Sequence, residues 1–436
     1  MSQIPKMLLL AALLASCVSE DAPSARFIVQ HDWVGRGEWI AADLHVHTRF
    51  SDGAHTVAEV VERARAHGCG AIAITDHASR TLRAATPDYQ ADIEAARTAN
   101  PDFMILGGIE WNVPPYESVE HVIVLAPPGP REWSTLAEFR ARFDDFDLGS
   151  RPKPGAAEAL RWLTGQRDGS STPVVFYGHP SRKDGSSMDN VADLESWRLA
   201  ADIVIGFEGA PGHQGGDVVG SYLYTEKTMD RWDPAAARPG DAWDTLLRRG
   251  NDVHGALAGS DFHAAGTADL NDFWPCQFSE TWLYVPGRTP SGLFRALRAG
   301  TFFGAHGHVA RDVELTASVE GLTRPAISGE SIEVRAGTAV TLSVRFSVPE
   351  RDWNGEPNRI DTVEFIITTP AGTSVSTESV IGPGRQVVSK VITADEHGLV
   401  VRARGRRVVA DGPDLMFYTN AIRIAAPGGH GRRGRL

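Results

Sequence analysis

Six histidines and three carboxylates stand in short clusters of residue types that ligate metal ions. They are His45 and His47 in DLHVHT, Asp52 in FSDG, His77 in ITDH, Glu110 in GGIEW, His121 in VEHVIVLA, His179 in YGHPS, and Asp261 and His263 in GSDFH. Nine such side chains exceed what one ion can take and suit two or three divalent ions sharing bridging carboxylates. Imidazole with carboxylate, and no thiolate, suits zinc, manganese or iron. The chemistry such a cluster supports is hydrolysis by metal-activated water. In DLHVHT the two histidines are two apart on an extended segment, so period-two geometry points both rings to one side. Asp43, two residues before His45, is placed to orient an imidazole. The turn Ser51-Asp52-Gly53 can return Asp52 to the same mouth.

The elements around these clusters alternate. Apolar runs predict strands at Trp39 to Leu44, Ala71 to Thr75, Phe103 to Glu110, Val119 to Leu125, Val174 to Tyr177, Ile203 to Glu208, Gly255 to Ser260 and Thr301 to Gly304. Between them, helices are expected near Tyr89 to Thr98, Trp133 to Phe143, Gly155 to Leu163, Asn190 to Leu199, Ala242 to Arg248 and Ser291 to Arg298. One more, opened by a Thr56/Glu59 capping box, carries Val57, Val60, Val61 and Ala64 at helical spacing and stops at Gly68. Continuous apolar strands between amphipathic helices imply a parallel sheet covered on its outer face. Most candidate ligands follow the C-terminal end of a strand, the active face of a βα-barrel. His121 is early in its strand, so that strand is expected to run against the others. From about Arg311 to Ile424 the texture changes to short Val-, Thr- and Ile-rich stretches with turn residues, which predicts an all-β sandwich of roughly seven strands. The tail 426–436 reads as disordered.

At 436 residues the chain suits two or three domains. A net charge of −12 argues against nucleic acid as partner, because that needs a basic surface. It leaves a small anionic or ester substrate open, since bound cations reverse the local sign. Lys6, the short apolar run Met7 to Ala15 and the sequence Leu14-Ala15-Ser16-Cys17 are similar to a bacterial lipoprotein signal. That predicts a signal peptide at 1–16, lipidation of Cys17, a tether at 17–37 and a membrane-anchored, extracytoplasmic place in the bacterial cell envelope. Cys69 and Cys276 are expected as two buried free thiols, with a bridge between them as the alternative.

DLHVHTRFSDG followed by AIAITDHA resembles the opening of the PHP (polymerase and histidinol phosphatase) family. GGIEW, EHVIVLA, YGHPS and GSDFH continue in the family's order. The resemblance covers 38–309 and implies a distorted (β/α)7 barrel ahead of the β-sandwich at 310–425. It implies one ion on His45, His47, Glu110 and Asp261, a second on Glu110, His121 and His179, and a third on Asp52, His77 and His263. It further implies a bridging hydroxide as nucleophile, with Asp261 or His263 relaying a proton to the leaving group. All nine positions are filled, which favours an active enzyme over a degenerate domain.

Other side chains have weaker claims. Arg80 and Arg182 follow ligand clusters and could clamp an anionic oxygen. Glu208 ends a strand in IGFEG and suits a supporting or substrate-contacting role. His306 and His308 form a second HxH, with packing or substrate contact favoured over ligation; His213 and His254 read as incidental. The leading expectation is a phosphoesterase. The alternatives are a carbamate, ester or amide hydrolase of the CehA/McbA type, and a non-catalytic surface-binding lipoprotein. The CehA/McbA group is suggested by Tyr418-Thr419-Asn420-Ala421-Ile422, similar to that group's TNPI motif with alanine in place of proline.

Overall fold

Thr56 accepts a hydrogen bond from the Glu59 amide while the Glu59 carboxylate accepts one from the Thr56 amide, so the expected capping box forms and the helix after it begins there. The same agreement between local signal and element runs through a computed structural model of the chain. It describes residues 24–79, 81–114, 120–144, 154–167, 172–182, 189–212, 227–266, 272–380 and 382–428. The N-terminal region comprises β1 (Ala25–Val29), β2 (Glu38–Asp43), α1 (Val57–Ala66), β3 (Ala71–Ile74), α2 (Pro87–Ala99), β4 (Met104–Asn112), β5 (His121–Leu125), α3 (Glu132–Phe143), α4 (Pro154–Thr164), β6 (Val174–Gly178), α5 (Asp189–Ala200), β7 (Val204–Ala210), α6 (Pro234–Ala237), α7 (Ala242–Arg248), β8 (His254–Ala258), β9 (Ser279–Val285), α8 (Pro290–Ala299) and β10 (Phe302–His306). The C-terminal region is all β: β11 (Arg311–Ser318), β12 (Ala326–Ile327), β13 (Ser331–Val334), β14 (Ala339–Val348), β15 (Thr362–Thr369), β16 (Gly372–Ser379), β17 (Gly384–Thr393), β18 (Leu399–Arg407), β19 (Leu415–Thr419) and β20 (Ile422–Ala425). No helix among the described residues is long and apolar enough to cross a membrane.

The N-terminal sheet runs β10-β9-β2-β3-β4-β5-β6-β7-β8. Strands β2, β3 and β4 are mutually parallel, as are β6, β7 and β8. Strand β5 is antiparallel to both β4 and β6, as the position of His121 required. That reversal matters, because six strands end at one mouth and β5 begins there, so its first residue joins the others.

The sheet curls into a barrel without closing as a ladder. Strand β8 abuts β10, where a side-chain carbon at Gly304 would lie 2.3 Å from the Ala256 carbonyl oxygen. Its open edge is satisfied by side chains instead. The Ala258 amide donates to Thr281 Oγ1 at 2.8 Å, and Thr281 Oγ1 donates back to the Ala258 carbonyl at 3.0 Å. The Ala256 amide donates to Asn420 Oδ1 at 3.3 Å, while Asn420 Nδ2 donates to the carbonyls of Gly300 and Phe302 at 3.2 and 3.3 Å. Asn420, from the YTNAI motif, is therefore a buried stitch across the barrel's seam. Asn420→Ala strands these backbone groups, and should lower stability by about 2–3 kcal/mol, seen as a lower urea midpoint at constant m-value.

Three features depart from expectation. Strand β1 falls inside the segment expected as a tether and pairs with β13, about 300 residues away, through Ala25↔Val334 and its neighbours. Strand β9 was not foreseen, and it inserts antiparallel between β2 and β10. Cys69 and Cys276 are bonded to each other across a sequence separation of 207, joining the turn before β3 to the loop before β9. The two strands flank β2, a neighbourhood that only the folded sheet creates. Reduction, or Cys276→Ser, is expected to cost about 2–4 kcal/mol in denaturant unfolding, with no change in the unreduced Cys69→Ser/Cys276→Ser double variant when reductant is added.

The C-terminal region packs two layers, as expected, but with more strands and with one layer shared. Sheet β12-β11-β14-β17 covers β13, β20, β18 and β15, with Leu315, Leu342, Val344 and Phe346 from one side and Val363, Phe365, Val401 and Phe417 from the other in one apolar core. The second layer continues into the barrel sheet through β19 against β10. Buried Arg402 of β18 donates from Nε and Nη2 to Asp244 of α7 at 2.7 and 3.0 Å, with its guanidinium 4.5 Å from the Trp243 ring centre. Arg404 reaches the Ala237 carbonyl at 2.7 Å. The two regions are thus joined by both backbone and buried charge.

Candidate metal centre

The HxH segment continues β2 in extended form and is pinned on both sides. The Val46 amide donates to Thr75 Oγ1 at 2.9 Å, and the His47 amide donates to the Phe262 carbonyl at 2.8 Å. Asp76 then fixes the returning turn, accepting from the Thr48 amide at 2.8 Å, Thr48 Oγ1 at 2.7 Å and Ser51 Oγ at 2.6 Å. Gly53 is required here, since a side chain would meet the His47 carbonyl carbon at 2.7 Å. Asp272 holds the GSDFH loop by accepting from the His263 and Ala264 amides at 2.7 and 3.0 Å. Asp233 holds the HPS turn through the amide and hydroxyl of Ser181 at 2.9 and 2.7 Å. Two candidate ligands, His179 (φ 31°) and Asp261 (φ 45°), adopt left-handed backbone conformations that cost energy for non-glycine residues and concentrate at functional sites.

All nine residues converge, and Glu110 is their centre. Its Oε2 lies 3.1 Å from His45 Nε2, 2.9 Å from His47 Nε2 and 3.2 Å from His77 Nε2. Its Oε1 lies 2.8 Å from both His121 Nδ1 and His179 Nε2. Asp261 Oδ1 is 3.2 Å from His45 Nε2 and 3.3 Å from His47 Nε2. At the rim, Asp52 faces His47 Nδ1 at 3.2 Å and His263 Nε2 at 3.4 Å. Asp52 is 49% exposed and His263 17%, against 1% or less for His45, His47, Glu110 and Asp261, so the cluster has a dry floor and an open edge.

The donor set fits divalent cations. His45 Nε2 and His47 Nε2 face each other at 3.2 Å with two carboxylate oxygens at similar distance, and no ordinary donor stands between them. Such spacing is what ligand atoms about 2 Å from one tetrahedral centre must have. Ligand atoms come within 4.8 Å of one another in three sets: His45, His47, Glu110 and Asp261; His47, Asp52 and His77; and His77, Glu110 and His121. The first is the set implied by the resemblance. The other two are redistributed: His77 groups with Glu110 and His121 and also with His47 and Asp52, while His263 stacks on His47 with ring centres 4.2 Å apart. Buried His121 Nε2 and His179 Nδ1 have no hydrogen-bond partner among the described residues.

Electrostatics prepares the rings unequally. Burial is the largest influence on each and disfavours the imidazolium. It prevails at His77, pushed down to about 3, and at His121 and His179, each pushed down to about 4, so these keep a lone pair at neutral pH. At His45 burial is outweighed by Glu208, Asp261 and Glu110, and at His47 by Asp261, Asp52 and Glu110; both are raised well above the ordinary range. Burial would raise Glu110 too, but His77, His45 and His121 hold it well below the carboxylate range.

The weaker candidates separate. Arg182 comes to the cluster, its Nη1 3.3 Å from His179 Nε2 and 3.9 Å from Asp261 Oδ2. Glu208 is buried behind it and orients His45, the part expected of Asp43. Asp43 instead accepts the amides of His45 and Ser260 at 3.3 and 3.2 Å, because its side chain points along the backbone rather than at a ring. The second HxH does not join the ligands. His306 packs between the Trp232 and Phe278 rings, at 4.8 and 5.0 Å, and His308 turns to the Cys276 carbonyl at 3.1 Å and Glu280 at 3.2 Å. A left-handed φ of 53° at His308 breaks the alternation that would have aligned the pair. His254 is half-buried, with Nε2 3.4 Å from the Arg298 carbonyl. Arg80, His213 and Cys17 lie outside the described residues. Sequence reasoning took Ser51 only as part of the turn and passed over Asp76, Asp233 and Asp272 as supports; of these three, Asp76, beside His77 in TDH, carried a local signal.

Residues 43–144 match the PHP domain family. No curated protein matches the chain. Among solved structures, the chain is similar to a two-domain protein from Bacteroides vulgatus described as containing a predicted PHP-like metal-dependent phosphoesterase, at 14% identity and TM-score 0.40, covering 89% of this chain and 95% of that one. It is also similar to a protein from Bifidobacterium adolescentis named for metal-dependent phosphoesterase activity (19% identity, TM-score 0.29, 53% and 90% covered). A third is an amidohydrolase from Chromobacterium violaceum with bound sulfate and no metal (19%, TM-score 0.32, 53% and 89% covered). The stretch that matches the PHP domain, residues 43–144, supplies Glu110, the buried carboxylate on which five imidazoles gather.

Proposed function

We propose that the protein is a metal-dependent hydrolase of phosphate esters working with two or three divalent ions, of zinc, manganese or iron. The observation that carries this reading is Glu110, whose two oxygens divide five imidazoles between them, three on Oε2 and two on Oε1. His45, His47 and Asp261 would hold an ion on one side of Glu110, His121 and His179 one on the other, and Asp52, His77 and His263 a third at the rim. Bound there, the ions would supply the Lewis acidity that activates water and offsets negative charge on the substrate.

The chain's own residues supply the rest. The dry floor formed by His45, His47, Glu110 and Asp261 raises the strength of every charge interaction at the mouth. Arg182 places a guanidinium beside His179 and Asp261, which favours a substrate with anionic oxygens. His263 anchors Nδ1 on the Asp261 carbonyl at 2.7 Å and turns Nε2 to the open rim. Burial and the neighbouring His47 lower its proton affinity, but Asp261 and Asp52 more than compensate, so with Nε2 not engaged by a rim ion the ring is placed to pass a proton to a leaving oxygen. The Cys69–Cys276 bond supports an oxidising compartment, in keeping with lipidation at Cys17 in the cell envelope.

The test is metal analysis of purified protein, followed by a panel of phosphomonoesters, phosphodiesters, carboxyl esters, carbamates and amides assayed with the bound metal. Turnover of phosphate esters, lost on chelation and restored by the ion, is expected. Turnover of the carbon-centred substrates alone would overturn the phosphoesterase assignment and favour the CehA/McbA-type alternative.

A further inference from the structure

Glu208 is 1% exposed on β7, and both its oxygens face one nitrogen: Oε1 lies 3.0 Å and Oε2 3.1 Å from His45 Nδ1. Oε2 also accepts the His179 amide at 3.2 Å. A single carboxylate thus touches the ring of one candidate ligand and the left-handed backbone of another, which lie on opposite sides of Glu110. The fold makes room for it. A side chain at Gly259 would meet Glu208 Oε1 at 2.9 Å and His45 Cβ at 3.1 Å, and one at Gly178 would come within 3.7 Å of both Glu208 Oε2 and His45 Cε1.

Resting on the metal-hydrolase reading above, we infer that Glu208 is a positioning residue that couples the two inner ion sites. It holds the His45 Nδ1–H so that Nε2 presents its lone pair to the site, and it holds the peptide that aims His179. Its role differs from that of the nine ligands, since it faces a ring nitrogen turned away from Glu110 and Asp261. Carboxylate partners of metal-ligating histidines fix tautomer and ring orientation in this way. Here one such partner serves two ligands of different ions, so its loss must be felt at both.

Glu208→Gln keeps the shape and spoils the pattern. With its NH2 at the Oε1 position the amide faces the His45 Nδ1–H, and with its NH2 at the Oε2 position it faces both that group and the His179 N–H. The experiment is calorimetric titration of zinc into metal-free protein, with stoichiometry by elemental analysis and the unfolding midpoint of the metal-free form as control. Both inner ions are expected to weaken together, by about 10- to 100-fold, with little change in the metal-free midpoint. In the zinc-loaded wild type the hydrogen-bonded His45 Nδ1–H should give a downfield proton resonance that E208Q shifts or removes. Unchanged zinc affinities, weakening of one ion alone, or loss confined to the metal-free midpoint would each overturn the inference. If E208Q does not fold, Gly259→Ala displaces the same carboxylate, with the same paired loss expected and the same results against it. Wild-type protein that binds no divalent ion sinks the hydrolase reading along with this one. Wild type that binds zinc with E208Q unaffected sinks the Glu208 role alone.

Discussion

Glu110→Gln is expected to lower kcat/KM by at least about a thousandfold, about 4 kcal/mol at 1.36 kcal/mol per decade. The glutamine is nearly the same size, so the barrel should still fold. What it lacks is the charge and the second acceptor. Glu110 Oε2 serves His45, His47 and His77, and Oε1 serves His121 and His179. An amide can offer an oxygen to one of these groups only, and presents NH2 to the other. Steady-state kinetics beside metal content would check this: the variant should retain its fold by circular dichroism and bind less metal. A folded E110Q enzyme with near-normal turnover would be incompatible with a bridging role and with the proposed chemistry.

The second large effect concerns stability. Asp244→Ala is expected to cost about 3–5 kcal/mol, because it leaves the Arg402 guanidinium charged in a dry interface. Both partners are 1% exposed, and Arg402 Nη1 has no other hydrogen-bond partner among the described residues. Replacing both by apolar residues, as in Asp244→Leu with Arg402→Met, should recover most of the loss, since a buried pair roughly balances its own desolvation. A double-mutant cycle on urea midpoints measures the coupling. If Asp244→Ala cost less than about 1 kcal/mol, in the range of an exposed pair, the guanidinium would have to reach water, and the interface would not be closed as described.

Much of the site was legible before the fold was seen. Ligand identity is local chemistry, and DLHVHT, TDH, GGIEW, GHPS and GSDFH each sit where an apolar run ends. The position of His121 even signalled the reversed strand, since a ligand at the start of β5 reaches the mouth only if β5 runs against β4 and β6. The second HxH shows the limit of the same logic. His306 and His308 share the spacing of His45 and His47, but a left-handed residue and an aromatic pocket turn them away from the cluster.

The amino-acid sequence by itself determined which atoms would act and, through strand periodicity, that most of them would arrive at one end of a sheet. Only the tertiary structure decided what holds them there. Glu208 and not Asp43 backs His45; Cys69 finds Cys276; β1 finds β13; and Asn420, 120 residues beyond Gly300, sews the barrel's seam. Each of these depends on contact between residues far apart in the chain. Composition and periodicity report which face a side chain takes, whereas a partner is chosen by the packing of every element between.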